Sequence, residues 1–215
     1  MDYKRRARSK AAKSERKDAI LAAAETLLRQ SGHDVMTMQA VAMEADLGKG
    51  TLYLYFPSRE VLVLDVYGRL FDKWINRFSS HVTTVSGVEE FCRNFCYYYR
   101  DDPLFLKLTG FAISSMEPQL DRDSYIRGKR AMANRVKKLA GIACQRLGMT
   151  PALAQQFVWG LLTVASGATQ MSIRPSHPSG DFPEDVAFFI GSTSFETVFL
   201  NAAIPLCASI MQADT

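Results

Sequence analysis

These 215 residues hold only four cysteines, too few for a disulfide scaffold, and no secretory leader is read ahead of them. The apolar run from Ala19 to Ala24 follows a basic start, but Glu25 cuts it off before it reaches the length of a signal core. A reducing cytoplasm is the expected compartment. Histidine is scarcer still. His33, His81 and His177 are the only three, and none is near Cys92 and Cys96, which lie one helical turn apart. A metal site needs more ligands than that, so the two thiols read as small buried hydrophobes. No base stands beside an acid or nucleophile in a pattern that suits proton transfer or covalent catalysis, so no catalytic residue, metal, cofactor or enzyme activity is expected. The eight prolines and 13 glycines are scattered and no short period recurs, which argues against repeat arrays and low-complexity segments. With 47% apolar and 22% charged residues, the chain is neither disordered nor collagen-like.

Net charge is a mild +4, but it is unevenly placed. Residues 1–17 carry eight basic side chains, Lys4, Arg5, Arg6, Arg8, Lys10, Lys13, Arg16 and Lys17, against Asp2 and Glu15, a net +6. The remainder has 18 basic and 20 acidic residues, a net −2. A short basic arm on a near-neutral body suits a polyanion, either nucleic acid or an anionic membrane surface; the plainer reading is a solvated tail.

Strand signals, meaning alternating runs bounded by turn pairs, are missing, and an all-α fold is expected. The apolar pattern predicts helices near 15–31, 38–45, 49–56, 59–80, 87–100, 103–116, 119–147, 151–173 and 183–211. Ser86 with Glu89 has capping-box spacing, and Asp102-Pro103, Thr150-Pro151 and Pro183 place proline at or near a first helical position. Two short helices follow the first, separated by Asp46-Leu47-Gly48, and everything after Ser58 is long. Three short helices of this kind have the size of a helix-turn-helix module.

Residues 37–59 carry the sharpest signal. Thr37 can cap one short helix, and Lys49 to Phe56 form a second, ended by Pro57, with Ser58 capping the next. At about 100° per residue, Leu52 and Phe56 share its inner face, while Gly50 and Leu54 point away, flanked by Thr51 and Tyr53. Such an outer face suits close approach to something. Gly50 lets a backbone come near, Thr51 and Tyr55 can donate to phosphate oxygens, Tyr53 offers a ring edge to a base, and Lys49 neutralises a phosphate. The alternative is that Tyr53, Leu54 and Tyr55 pack against later helices.

Thr37-Met38-Gln39-Ala40-Val41-Ala42, the turn, and Lys49-Gly50-Thr51-Leu52-Tyr53-Leu54-Tyr55-Phe56-Pro57-Ser58-Arg59-Glu60 resemble the DNA-binding domain of TetR-type transcriptional repressors. The resemblance covers residues 14–75 and is most specific over 48–60. It implies an N-terminal three-helix DNA-binding domain (14–75, motif 37–56) behind the basic arm (1–13), and a larger C-terminal helical domain (76–215) for ligand binding and dimerisation. It further implies a homodimer on a palindromic double-stranded DNA operator, released by a small-molecule inducer. Carried over by position, it makes Lys49 to Phe56 the recognition helix, puts Thr37, Lys49, Thr51, Tyr55 and Arg59 on phosphates, and lays Gly50 and Tyr53 against base edges. Three residues depart from the pattern. Asp46 stands where glycine is usual and must adopt a left-handed conformation; Gly48 replaces a capping serine; Leu54 replaces a frequent histidine.

Residues 18–60 hold three basic side chains, Arg29, Lys49 and Arg59, against six acidic ones, a net −3. An acidic reading module needs its phosphate neutralisation from elsewhere, so the arm, Arg5, Arg6 and Arg8 included, is expected to lie along the DNA backbone or enter the minor groove.

Ala152 to Ile173 carry no charge and Val186 to Met211 only Glu196. Either stretch is long enough to span a bilayer, but polar residues such as Gln155, Thr163, Gln170, Thr197 and Asn201 stud both. Burial against the chain's own core and a second copy is the better account, which predicts a four-helix homodimer interface through 151–173 and 183–211 and no membrane. Phe91, Phe95, Tyr98, Phe105, Phe111, Met116, Met132 and Trp159 are either core or the lining of a cavity for a hydrophobic or aromatic ligand.

Overall fold

Most of the helices begin where a side chain can satisfy the amide groups of the first turn. The computed structural model describes residues 2–32, 36–172, 182–187 and 194–212, without the side chains of residues 2–10, 113 and 114. Among these residues there is no strand. The helices are α1 (Asp2–Ser31), α2 (Met38–Glu44), α3 (Lys49–Tyr55), α4 (Arg59–His81), α5 (Val88–Arg100), α6 (Pro103–Phe111), α7 (Arg122–Leu147), α8 (Pro151–Ser172) and α9 (Phe195–Gln212). Thr37 Oγ1 accepts the Ala40 amide at 3.1 Å, Ser58 Oγ that of Val61 at 3.3 Å, and Asp102 Oδ1 those of Leu104 and Phe105 at 3.0 and 3.3 Å. These are the caps read from the sequence.

Four boundaries differ from the reading. α1 starts at Asp2, not near residue 15. Residues 2–14 contain neither glycine nor proline and are rich in Ala, Lys and Arg, good helix formers that have no apolar stripe to betray them. Among residues 11–31 the first buried one is Ile20. The expected capping box at Ser86 does not form: the N-cap of α5 is Gly87, without a side-chain cap, while Ser86 N and Oγ donate to Glu90 at 2.7 and 2.6 Å and Glu89 pairs with Arg93. The helix expected over 103–116 is α-helical only to Phe111; Ala112–Met116 is a π-helix and Glu117–Gln119 a 3-10 turn. Pro118 cannot continue the α-helical ladder, and α7 restarts with Asp121 accepting from Asp123 N and Ser124 N. Finally, 183–211 is not one helix. Residues 184–187 are helical, 188–193 lie outside the described residues, and Ser194 is non-helical, its Oγ accepting the Thr197 amide at 3.2 Å to start α9.

α4 runs through the centre. Its Phe71, Trp74 and Phe78 meet Phe95 and Tyr99 of α5 and Phe105 of α6, with ring centroids 5.0–6.0 Å apart. Edge-on and stacked pairs at these separations stabilise by about 0.5–1.5 kcal/mol beyond the burial itself. Trp74 Nε1 is buried and has no hydrogen-bond partner among the described residues. Tyr99 donates to Thr109 Oγ1, which donates to the Phe105 carbonyl. α9 lies along α8 and α5. Gly160 permits the close approach, since a Cβ there would sit 3.3 Å from Leu206 Cδ2 and 3.4 Å from Ile210 Cδ1. By length and composition α9 also passes as a membrane span.

Candidate nucleic-acid interface

α2 and α3 are joined by a tight turn. Leu47 N donates to the Ala42 carbonyl at 2.8 Å and Ala45 N to that of Val41 at 2.9 Å, while Asp46 takes φ 52°. Asp46 thus occupies the left-handed conformation its position requires, which aspartate tolerates better than most residues. Gly48 caps α3 through its backbone alone. Leu52 and Phe56 are fully buried, as their spacing predicts, and they anchor α3 to the core beneath. Lys17 Nζ lies 5.4 Å over the Phe56 ring and 2.7 Å from Asp65, tying α1 to α4 at this corner.

The outer face of α3 is bare. Lys49, Gly50 and Thr51 are exposed, Tyr53 is 43% exposed and Leu54 82%. Tyr55 is the exception, half-buried and packed on the core. Thr37 is exposed, its hydroxyl already engaged as the α2 cap. Arg59 is half-buried and its Nε donates to the Met36 carbonyl at 2.9 Å, a contact that fixes the approach to α2. The side chains of Arg5, Arg6 and Arg8 lie outside the described residues; of the same segment, Lys13, Arg16 and Lys17 are exposed. The sequence reading passed over Gln39 and Met43, exposed one turn apart on α2 beside the turn. Their spacing, opposite the buried Met38, Val41 and Ala42, was the available signal.

Gly50 is the most informative position. Its backbone is ordinary helix, and a Cβ added there would meet nothing within 4 Å. The fold itself therefore gains nothing from glycine, which costs about 1 kcal/mol against alanine inside a helix. Such a residue makes sense where something else must come close to the backbone.

Behind this surface, α1 and α4 join the rest of the molecule through an ion cluster. Arg29 donates to both Asp102 oxygens at 2.9 and 2.7 Å and to Glu25 at 3.0 Å, and Lys73 reaches Glu25 at 2.9 Å. Burial alone would raise the Glu25 and Asp102 carboxyls, but hydrogen bonds from Lys73 and Arg29 to the first, and from Arg29 to the second, outweigh it and hold both below their ordinary values. Asp102 raises the Arg29 guanidinium in turn. One carboxylate, Asp102, thus caps α6 and holds α1.

Beside this junction opens a cleft of about 810 Å³, walled by α1, α4, the π-helical segment, α7 and Trp159 of α8. Of the eight residues expected to line a cavity, it takes in Met132 and Trp159. Phe91, Phe95, Phe105 and Met116 are instead buried, the first three in ring-on-ring packing such as Phe95 against Phe199 at 5.4 Å and Phe91 against Phe157 at 5.6 Å. Tyr98 is half-buried with its ring tilted against that of His81 at 5.2 Å, and Phe111 is half-buried where α6 ends. Cys92, Cys96 and Cys207 are buried thiols, and burial pushes Cys96 up to about 12.

Comparison with known proteins gives a consistent picture. The family model for bacterial regulatory proteins, tetR family, matches residues 20–66, and the one for the tetracyclin repressor-like C-terminal domain matches residues 68–204. The HTH-type transcriptional repressor KstR of Mycolicibacterium smegmatis is 40% identical over 62 residues, 29% of this chain and 30% of that protein. The HTH-type transcriptional regulator YuxN of Bacillus subtilis is 35% identical over 63 residues, 29% of this chain and 22% of that one. The matched stretch therefore spans less than a third of either relative's length. Among solved structures, a possible TetR family transcriptional regulator from Streptomyces coelicolor shares 17% identity over 93% of this chain and 100% of its own, with a TM-score of 0.58. FadR from Bacillus subtilis in complex with stearoyl-CoA shares 15% over 89% and 97%, with a TM-score of 0.53. At these identities the likeness is one of fold.

Proposed function

Since the chain belongs to the tetR family of bacterial regulatory proteins, we propose that it is a cytoplasmic transcriptional repressor, without enzymatic activity, that holds a palindromic operator as a homodimer and lets go when a small molecule binds. The observation that carries this is the outer face of α3, where Gly50 serves no need of the fold and Tyr53 and Leu54 stand in water. In this reading Gly50 and Tyr53 lie against base edges in the major groove, and Lys49, Thr51 and Tyr55 hold phosphates. Thr37 and Arg59, already tied to Ala40 and Met36, position the helix as well as facing the backbone.

The molecule divides in function as follows: residues 1–13 supply charge, 14–75 read DNA, and 76–215 bind ligand and dimerise. As a helix 10–12 Å across, the basic segment is too wide for a minor groove of about 6 Å and instead tracks phosphates. The uncharged outward residues of α8 and α9, among them Gln155, Trp159, Thr163, Asn201, Pro205 and Leu206, are exposed in the protomer and are the surface a second copy covers. Two reading heads must meet major grooves roughly 34–36 Å apart, and a ligand in the cleft, which touches both α1 and α7, alters that spacing. A neighbour of the same fold seen with stearoyl-CoA supports a ligand-taking body.

The test is a gel-shift and footprinting assay with DNA flanking the coding region. Protection of an inverted repeat by a dimer is the expected result. No retarded duplex at any salt concentration refutes the reading.

A further inference from the structure

The walls of the cleft hold six cationic side chains and four carboxylates. Most are spoken for: Lys17 pairs with Asp65 at 2.7 Å, Lys129 with Glu117 at 2.7 Å, and Lys73 with Glu25 at 2.9 Å. Arg135 differs from these. It reaches from α7 onto α4 above Gly68, where a Cβ would come within 2.7 Å of its Nη2, so the absent side chain makes room for the guanidinium. There it grips Asp72 as a fork, Nε to Oδ1 at 3.1 Å and Nη2 to Oδ2 at 2.8 Å.

The two ends of this pair are unequal. The Arg135 side chain is 17% exposed and that of Asp72 41%, with Lys138 Nζ 4.0 Å from Asp72 Oδ1. Arg135 cannot quit the pair without stranding a largely buried cation. Asp72 can turn to Lys138 and water.

We infer that the cleft takes a carboxylic acid with an apolar body, whose carboxylate displaces Asp72 from Arg135 and so severs the ion pair between α7 and α4. This rests on the reading of the cleft as the regulatory ligand site and names the class of ligand. The fork over Gly68 already seats a carboxylate, and the planar guanidinium reproduces that geometry for an incoming one. Leu21, Leu64, Phe71, Leu120, Met132 and Trp159 supply apolar wall, in a volume ordinary for a small-molecule site. Arg127, on the same wall and bonded to the Ser124 hydroxyl at 3.1 Å, adds positive potential. Tyr67 also lines the cleft; burial pushes its phenol up to about 12, so it stays neutral and does not repel an anion. The π-helical Ala112 borders the cleft too, and such segments recur at functional sites. An incoming carboxylate keeps Arg135 paired while the freed Asp72 gains water and Lys138, so the acid head group adds affinity that an alcohol, which cannot take over the fork, does not. The apolar body provides the rest of the affinity, and the head group provides the switch, because the ion pair between α4 and α7 is broken.

Full-length protein without DNA is titrated calorimetrically with decanoate, dodecanoate and phenylbutyrate, each beside the alcohol of the same body. At least one acid should bind about tenfold more tightly than its alcohol, the scale of a hydrogen bond to a charged group. Asp72→Asn removes the internal competitor at a half-exposed position and should tighten acid binding about tenfold without changing alcohol binding. Arg135→Lys should lose the preference for acid. The inference is overturned if none of the acids binds, if acid and alcohol bind alike, or if Asp72→Asn leaves acid affinity unaltered. An acid that binds as described but leaves DNA affinity unchanged overturns the regulatory reading instead, and leaves the chemistry of the cleft standing.

Discussion

Substituting alanine for Gly50 separates what the fold needs from what a partner needs. The added methyl meets no atom within 4 Å and the backbone conformation suits any residue, so nothing in the protomer opposes it. Alanine is the better helix former by up to about 1 kcal/mol, which for a chain of this size raises the midpoint of thermal unfolding by about 2–4 °C. Against DNA the same methyl projects from the middle of the contact face and displaces a base-edge or phosphate contact in each half-site. A lost contact costs about 1–3 kcal/mol, so a dimer loses about 2–6 kcal/mol, or at least about thirtyfold in affinity. Circular dichroism melting and fluorescence anisotropy on a labelled fragment of the flanking DNA read the two effects. Leu54→Ser, at a side chain 82% exposed on the same helix, is the control for stability and should stay within about 0.5 kcal/mol of the parent. A Gly50→Ala protein that melts higher and still binds DNA as the parent does refutes the argument that this face meets a groove.

Three further outcomes are expected. Deleting residues 2–13 removes six basic side chains and stops short of the buried Ile20; helicity per residue and cooperativity of melting should persist while DNA binding weakens and its salt dependence flattens, and an unchanged salt slope contradicts the role given to this helix. Thr163→Lys places a charge on the exposed, uncharged face of α8 and should convert dimer to monomer in sedimentation without loss of helix; a dimer that survives it places the interface elsewhere. In acid, the ion cluster at the junction should fail first. The carboxyls of Glu25 and Asp102 are held below their ordinary values, so their contribution is complete above the unfolded values of about 4 and is lost as pH falls through the lower folded ones. The double variant Glu25→Gln, Asp102→Asn should therefore lose less stability than the parent below about pH 4, and an identical acid limb denies the cluster its part.

Much of the helical reading rested on short-range chemistry, and that part was legible residue by residue. Thr37, Ser58 and Asp102 cap because a side-chain oxygen sits two or three residues from an unsatisfied amide, and this is visible in the order of residues alone. Leu52 and Phe56 face inward because they are four apart. Where local chemistry has no apolar period to follow, as in residues 2–14, the helix was missed although the residues favour it.

The amino-acid order by itself determined the all-α architecture, the turn at Asp46 and the bare outer face of α3, because each depends on neighbours within one or two helical turns. Only the tertiary structure decided which aromatic rings fill the interior and which side chains wall the cleft, since a ring on a buried stripe looks the same in either role until its partners arrive. Phe95 finds Phe199, Arg29 finds Asp102 and Arg135 finds Asp72 across 104, 73 and 63 residues of chain. No local pattern encodes those meetings. They follow from how α4, α5, α7 and α9 settle against one another once the helices exist.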